Sequence, residues 1–350
     1  MTAVSAIAAA GVVVYACGGP WRRPIAAPVR PDPRSWLADD LTIAYIGHAS
    51  VLIDFAGTRI LTDPAFFARI GIKVAGVTIG PTRVVRAALA PEDLPPITAV
   101  LVSHAHMDSL DRPSLRCLTA VPLLVTPRQT RDLVDDLGFA RVVELGWGEH
   151  VEAGDVSIEA VPVNHWGKRW PWDGWRGYNG YLLTKGEHRV LFASDTAYTE
   201  AFGALAHAPR IDVAIFGIGA YDPWIMNHAD PEQAWRMFTM TDACYLVPVH
   251  WDTFRLGKEP LGEALARLLI AAGPEKARVA IRRTGDTFVV PRGGCDPTPA
   301  PAALSRSTRD LLPGATPIAS AASGGEAGSH PDSLRVATPI ASVASGGVIK

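Results

Sequence analysis

The sequence predicts a mixed α/β fold in which sheets pack together and helices lie outside them. Short β-branched and apolar runs end repeatedly in Gly, Asp, His or Asn, and the helical stretches between them are fewer and longer. Hydrophobic residues make up 48% of the 350, enough to bury a sizeable core in one large domain or two smaller ones.

Taken in order, residues 41–46, Ser50–Phe55 and Thr58–Thr62 read as three successive strands, with Gly57 in the hairpin turn between the last two. Further strands are expected at 98–102, 156–163, 181–183, 190–193, 213–216 and Tyr245–Val249, and helices at 112–118, 128–137, 200–206, 231–239 and 261–272. Residues 20–33 are rich in Pro and Arg and read as a linker. Beyond about Pro291 the composition turns to Ala, Ser, Gly, Thr and Pro, and the hexapeptide at 315–320 recurs at 337–342. So few large apolar side chains cannot offset the entropy of ordering. The expected organisation is an apolar segment and linker at 1–33, a folded domain at 34–292, and a disordered low-complexity tail at 293–350.

The apolar run at 3–19, followed by Trp21, Arg22 and Arg23, resembles a short signal or anchor segment. It lacks a positive start and sits at the lower limit of the ~17 to 25 residues that cross a bilayer. The chain is therefore expected to be either cytoplasmic or membrane-associated or exported through that segment. A net charge of -2 and the absence of a long basic run argue against a nucleic-acid partner. Cys17, Cys117, Cys244 and Cys295 contain no CxxC pair, so any metal must be held by histidine and carboxylate.

Four of the expected strands run into a side chain able to bind a metal. Residues 98–102 lead to Ser103-His104-Ala105-His106-Met107-Asp108, 156–163 to Asn164-His165, 190–193 to Asp195, and Tyr245–Val249 to His250. Loops at one sheet edge are where a rigid scaffold presents reactive groups. Imidazole and carboxylate suit Zn²⁺, and a carboxylate such as Asp195 can bridge two ions that together activate water and clamp an oxyanion. Taken singly, His165 or His250 is more often a hydrogen-bonded core residue, and Asp108 or Asp195 a helix cap. The HxHxD spacing and the recurrence at four strand ends favour the metal.

The stretches Ile46-Gly47-His48-Ala49-Ser50, Leu61-Thr62-Asp63-Pro64, Ser103 to Asp111, His165-Trp166, Ser194-Asp195-Thr196-Ala197-Tyr198, Ile218-Gly219-Ala220-Tyr221 and His250-Trp251-Asp252-Thr253-Phe254 follow one another from about residue 41 to 254. They resemble the metallo-β-lactamase superfamily, in the branch that holds N-acyl-phosphatidylethanolamine-hydrolysing phospholipase D and the ascorbate-6-phosphate lactonase-like bacterial proteins. The resemblance implies a four-layer αββα sandwich with metals at one edge of the two sheets. It implies that His104, His106 and His165 bind one zinc, that Asp195 bridges, and that Asp108 and His250 hold a second. It assigns Asp108 and His228 to catalysis, His228 stabilising developing charge or protonating the leaving group. His48 and Asp63 would orient ligands by hydrogen bonds. One position departs from the family: a histidine usually follows the aspartate of HxHxD, and here Ser109 stands there. The second ion should bind more weakly for it, leaving one zinc or an asymmetric pair.

Substrate contacts are expected from Trp166, Lys168, Arg169 and Tyr221. The segment from Trp166 to Trp175 sets four tryptophans and two cations beside His165, a mixture suited to a phosphate head group with an apolar chain or to a membrane interface. Phe66, Phe67, Ile70, Ile72, Val74, Val77 and Ile79 form an apolar stretch able to roof the site. The expected partner is a small-molecule or lipid substrate, and the expected reaction is hydrolysis of a phosphodiester such as an N-acyl-phospholipid. The alternatives are a lactonase or other carboxylic ester hydrolase, and a metal-binding module that binds a ligand without turning it over.

Overall fold

A computed structural model describes residues 23–207 and 209–292. Its strands are β1 (Leu41–Gly47), β2 (Ser50–Phe55), β3 (Thr58–Thr62), β4 (Ile72–Val74), β5 (Val77–Ile79), β6 (Ala99–Leu101), β7 (Leu123–Pro127), β8 (Val142–Leu145), β9 (His150–Ala153), β10 (Val156–Val161), β11 (Gly180–Lys185), β12 (His188–Ser194), β13 (Val213–Gly217), β14 (Tyr245–Val249) and β15 (Thr287–Val289). The α-helices are α1 (Arg112–Arg116), α2 (Tyr221–Trp224), α3 (Pro231–Met240) and α4 (Glu263–Ala272).

Seven strands form one sheet in the order β15-β1-β2-β3-β6-β7-β8, and six form a second in the order β14-β13-β12-β11-β10-β9. Successive side chains on β1 and β2 point to opposite faces, and both faces are apolar and buried. Ile43, Tyr45, Val51 and Ile53 share a core with Ile158, Tyr181, Leu183 and Phe192 of the other sheet. Ala44, Ile46 and Leu52 pack instead with Leu115 of α1. Ala234, Met237 and Phe238 of α3 and Leu268 of α4 join the core of the second sheet. The result is the four-layer αββα sandwich that the resemblance implied.

Local chemistry explains where the expected elements hold. Ala56 (φ 48°) and Gly57 (φ 96°) form the two-residue turn between β2 and β3, where both positions need positive φ. Asp230 caps α3 by accepting from the Gln233 amide, and Pro231 opens the first turn. The helix expected at 128–137 is replaced by two 3₁₀ turns, Arg131–Leu133 and Asp135–Leu137. The Thr130 and Arg131 amides donate to Glu144 Oε1 on β8, at 2.7 and 2.9 Å, which draws off the donors an α-helix would start from. The stretch expected to be helical at 200–206 is likewise a 3₁₀ helix, Ala201–Leu205, with Gly203 at its centre. Part of the stretch read as a linker lies against the domain, since Ile25 bridges Val85 and donates its amide to the Val84 carbonyl.

One expectation is corrected here. Among the described residues no helix is long and apolar enough to cross a membrane: α3 and α4 have 10 residues each, about 15 Å against a hydrocarbon core of about 30 Å. The apolar run at 3–19 lies outside the described residues, as does the tail at 293–350. Membrane association or export through that run therefore has no structural basis and is withdrawn.

The topology positions the site. β3 and β6 are parallel, and β1 is antiparallel to β2, itself antiparallel to β3, so β1, β3 and β6 point the same way. By the same count β10, β12 and β14 point the same way in the other sheet. The loops after these strands carry His48, Asp63, the 103–108 loop, His165, Asp195 and His250, so each sheet offers its candidates at one edge. Phe192 lies fully buried between the sheets. Phe192→Ala should lower the unfolding free energy by about 3–5 kcal/mol in urea denaturation; a loss under about 1 kcal/mol would show that the layer repacks around the gap.

Candidate metal centre

The residues at the strand ends are held in backbone conformations that side chains seldom adopt. His48 (φ 62°) turns the chain from β1 to β2, Asp63 (φ 33°) follows β3, Ser194 (φ 55°) ends β12 and His250 (φ 61°) follows β14. Such conformations cost about 1–3 kcal/mol each and persist only where surrounding structure enforces them. Here the His250 amide donates to the His48 carbonyl at 2.9 Å, joining the two sheets' loops. Gly219 passes so close behind that a Cβ there would collide with the His250 carbonyl oxygen.

His104, His106, His165 and Asp195 converge, one ligand atom from each lying within 4.8 Å of all the others. His104 Nε2 lies 2.8 Å from His106 Nδ1 and 3.6 Å from Asp195 Oδ2, and His165 Nε2 lies 3.3 Å from His106 Nδ1. Bonds of about 2.0–2.1 Å in tetrahedral array put neighbouring ligand atoms about 3.3 Å apart, so these separations are those of donors around one small cation. A second group, His48, Asp108 and His250, meets the same limit, as does a third of Asp195, His228 and His250. His250 Nε2 stands 3.2 Å from Asp195 Oδ2 and 3.3 Å from Asp108 Oδ2, which ties the groups together.

Asp195 is the feature that most requires a cation. Both its carboxylate oxygens are buried and neither has a hydrogen-bond donor in acceptable geometry. Burial opposes charge on Asp195 and Asp108, yet both stay well below the usual carboxylate range, Asp195 because of His250, His228 and His104, Asp108 because of His250 and His48. Burial also disfavours a charged His250, but Asp195 and Asp108 raise it well above the ordinary imidazole value. The other imidazoles go the opposite way, chiefly through burial: His104 and His106 are lowered, His165 to about 3 and His228 to about 4. Neutral imidazoles keep the lone pairs that coordination needs, so imidazole nitrogens and ionised carboxylates fit a resident divalent ion.

The supporting contacts reach inward from these groups. His104 Nδ1 is 2.8 Å from Ser103 Oγ, and Asp63 accepts from both the Ser103 amide (2.7 Å) and its hydroxyl (2.5 Å). Ser194 donates to the same Asp63 carboxyl at 3.1 Å. Asp63 thus steadies His104 through Ser103 rather than touching a candidate ligand. His165 Nδ1 is 2.8 Å from the Asn227 carbonyl, which leaves Nε2 facing the cluster. Ser103 and Ser194 stood in the sequence motifs without a role of their own, and Asn227 was not singled out. The two serines each directly precede a candidate ligand, a signal that was visible; Asn227 acts through its backbone, which no side chain announces.

The proposed substrate contacts divide. The Trp166 ring meets His106 edge-on at 5.9 Å, and Lys168 Nζ lies 5.3 Å from the Trp166 ring centroid, exposed. Arg169 spends a terminal nitrogen on the Ala105 and Leu110 carbonyls, at 2.9 and 3.0 Å, and so braces the HxHxD loop. Tyr221 is buried, its hydroxyl donating to Glu263 at 2.7 Å and its ring capped by Arg267. Both side chains make intramolecular contacts beside the site. Ser109 is buried beside Asp108 with its hydroxyl unpartnered.

Two packed sheets with a histidine and aspartate cluster at the shared edge define a class of α/β metal-site sandwich. The profile of the beta-lactamase superfamily domain matches residues 58–251, more than half of the chain, and the chain belongs to that family. A protein of Mycobacterium tuberculosis described as uncharacterised is 33% identical over 259 residues, 71% of this chain and 68% of its own. The N-acyl-phosphatidylethanolamine-hydrolyzing phospholipase D 1 of Caenorhabditis elegans is 29% identical over 235 residues, 62% of this chain and 65% of that enzyme. Among solved structures, a metallo hydrolase of Ignicoccus hospitalis superposes with a TM-score of 0.54 at 20% identity, over 71% of this chain and 97% of that one. It shares the fold.

Burial raises the Asp63 carboxyl from 3.8 to about 8. The unfolded chain releases that proton above 3.8 and the folded protein only near 8, so this group's contribution is complete at low pH and is lost as pH climbs between those values. Metal-free Asp63→Asn, which cannot ionise, should lack that decline of at most about 1.4 kcal/mol per pH unit. Urea unfolding of both proteins from pH 5 to pH 8 checks it; parallel stability curves would contradict a neutral Asp63.

Proposed function

We propose that this protein is a zinc-dependent hydrolase that cleaves a phosphodiester, with an N-acyl-phospholipid as the substrate class. The observation that carries the reading is the buried Asp195 carboxylate, with no well-aligned hydrogen-bond donor on either oxygen and ringed by imidazoles from four different loops, His250 Nε2 at 3.2 Å among them. In this reading His104, His106, His165 and Asp195 hold one ion, and Asp195, Asp108 and His250 take part in holding a second. Bound zinc supplies an activated water and neutralises charge on the oxyanion. Nitrogen and oxygen donors without thiolate, in groups of three and four, suit Zn²⁺ with a position left for water.

The chain's own residues supply the rest. His228, kept neutral by burial, offers an N–H to developing charge beside Asp195 and His250 without competing with the ion electrostatically. Lys168 over Trp166 puts a cation and an indole face together at the rim, a pairing suited to an anionic head group. Trp172 and Trp175 and the hairpin of β4 and β5 expose apolar side chains that an acyl chain can cover. Likeness to a phospholipase D that hydrolyses N-acyl-phosphatidylethanolamine supports the same choice.

The test compares the zinc-loaded full-length protein with His104→Ala and Asp195→Asn on bis(p-nitrophenyl) phosphate, N-acyl-phosphatidylethanolamine in detergent micelles and a lactone panel. Diester cleavage should fall by ~10³-fold in both variants, as loss of several kcal/mol of charge stabilisation requires. Turnover of lactones alone would replace this reading with the carboxylic ester hydrolase, and zinc binding without any turnover would replace it with a non-catalytic module.

A further inference from the structure

The loop that carries His104, His106 and Asp108 continues into Ser109, which is fully buried with no hydrogen-bond partner for its hydroxyl. A neutral hydroxyl is a poor donor to a divalent ion beside an imidazole, so this loop leaves the Asp108 side of the centre one strong donor short. An imidazole reaches the same place from another part of the chain. His48, at the turn between β1 and β2, sets its Nε2 3.0 Å from Asp108 Oδ2, while His250 Nε2 lies 3.3 Å from the same oxygen. Ligand atoms of the three residues lie within 4.8 Å of one another, and the two separations match neighbouring ligands around one ion, about 3.3 Å apart.

We propose that His48 is a direct ligand of a second metal ion, completing with Asp108 and His250 a three-donor set to which Ser109 cannot contribute. This rests on the reading that the centre holds ions at all.

The alternative role for His48 is an outer one, donating Nε2–H to Asp108 and never touching the ion. Two features favour ligation. His48 is held in position as firmly as His250: its amide donates to Thr253 Oγ1 at 3.0 Å, its carbonyl accepts from the His250 amide at 2.9 Å, and its ring packs edge-on against Phe254 at 5.0 Å. Its backbone lies in the tight turn between β1 and β2 at φ 62°, so the ring is carried on a short connection that sets Nε2 against Asp108 as closely as His250 is set. His228 is the other spare imidazole, but it groups with Asp195 and His250 and not with Asp108.

The experiment titrates Zn²⁺ into metal-free full-length protein and into His48→Gln and Ser109→Ala, reading stoichiometry and stepwise affinity. Glutamine keeps an N–H near the Nε2 position, and with it the bond to Asp108, but removes the imidazole donor. Wild type should take up two ions. His48→Gln should keep the first and bind the second more than ~100-fold more weakly, beyond the ~10- to 100-fold that loss of an outer partner costs. Ser109→Ala should match wild type. A mutation-free readout accompanies these: on the second equivalent, the ¹⁵N resonance of His48 Nε2 should move to the range of a metal-bound nitrogen. Two ions bound by His48→Gln within tenfold of wild type, a single ion in wild type, or a shift at His228 in place of His48 would overturn the inference and leave the hydrolase reading standing. No ion bound by folded wild type would overturn that reading as well.

Discussion

A carboxylate taken out of water with neither oxygen hydrogen-bonded costs several kcal/mol unless a cation meets it, and Asp195 is in that position. Everything around it answers that constraint. Ring nitrogens of His104, His106, His165, His228 and His250 lie close to it, and His250, between Asp195 and Asp108, is the one of these raised well above its ordinary value. Asp195 and Asp108 together favour positive charge between them, which a proton on His250 or a bound divalent ion would supply. The positive-φ backbone at Ser194 and His250 and the bare backbone at Gly219 lie where the loops of the second sheet come within ligand distance of the Asp195 carboxylate.

The two-sheet sandwich makes this affordable. Its core is built from β1, β2, β11 and β12, whose inward side chains are fully buried, and the stability gathered there offsets the strained edge. The site's supporting bonds run back into that core, from Asp63 through Ser103 to His104 on one side and from the Asn227 carbonyl to His165 on the other. The tryptophan segment is fixed separately: Asp173 accepts from the Arg169 and Trp170 amides and pairs with Arg176, so the exposed indoles stand on a rigid loop.

What was legible in the sequence follows from which physics is local. Strands such as Ser50–Phe55 and Thr58–Thr62 were readable to the residue because apolar runs ended in a turn whose chemistry demands glycine. Most of the converging side chains were readable because they lie on loops that follow strands, whereas His228 lies on the loop after α2. The helix expected at 128–137 failed because its amides are taken by Glu144, distant in sequence. β7 was missed because a short apolar run does not distinguish strand from buried helix. The partners of Arg169 and Tyr221 were not legible, because composition shows that a polar group is present but not which partner it has found. The nearness of His48 to Asp108, across 60 residues, is likewise a property of the fold alone.

The most direct measurement is an anomalous difference map, recorded across the zinc edge, from crystals of the full-length protein grown with Zn²⁺. The account predicts a peak about 2.0–2.1 Å from His104 Nε2, His106 Nδ1 and His165 Nε2, against an oxygen of Asp195. A map in which these side chains keep their positions and no peak lies among them would contradict it.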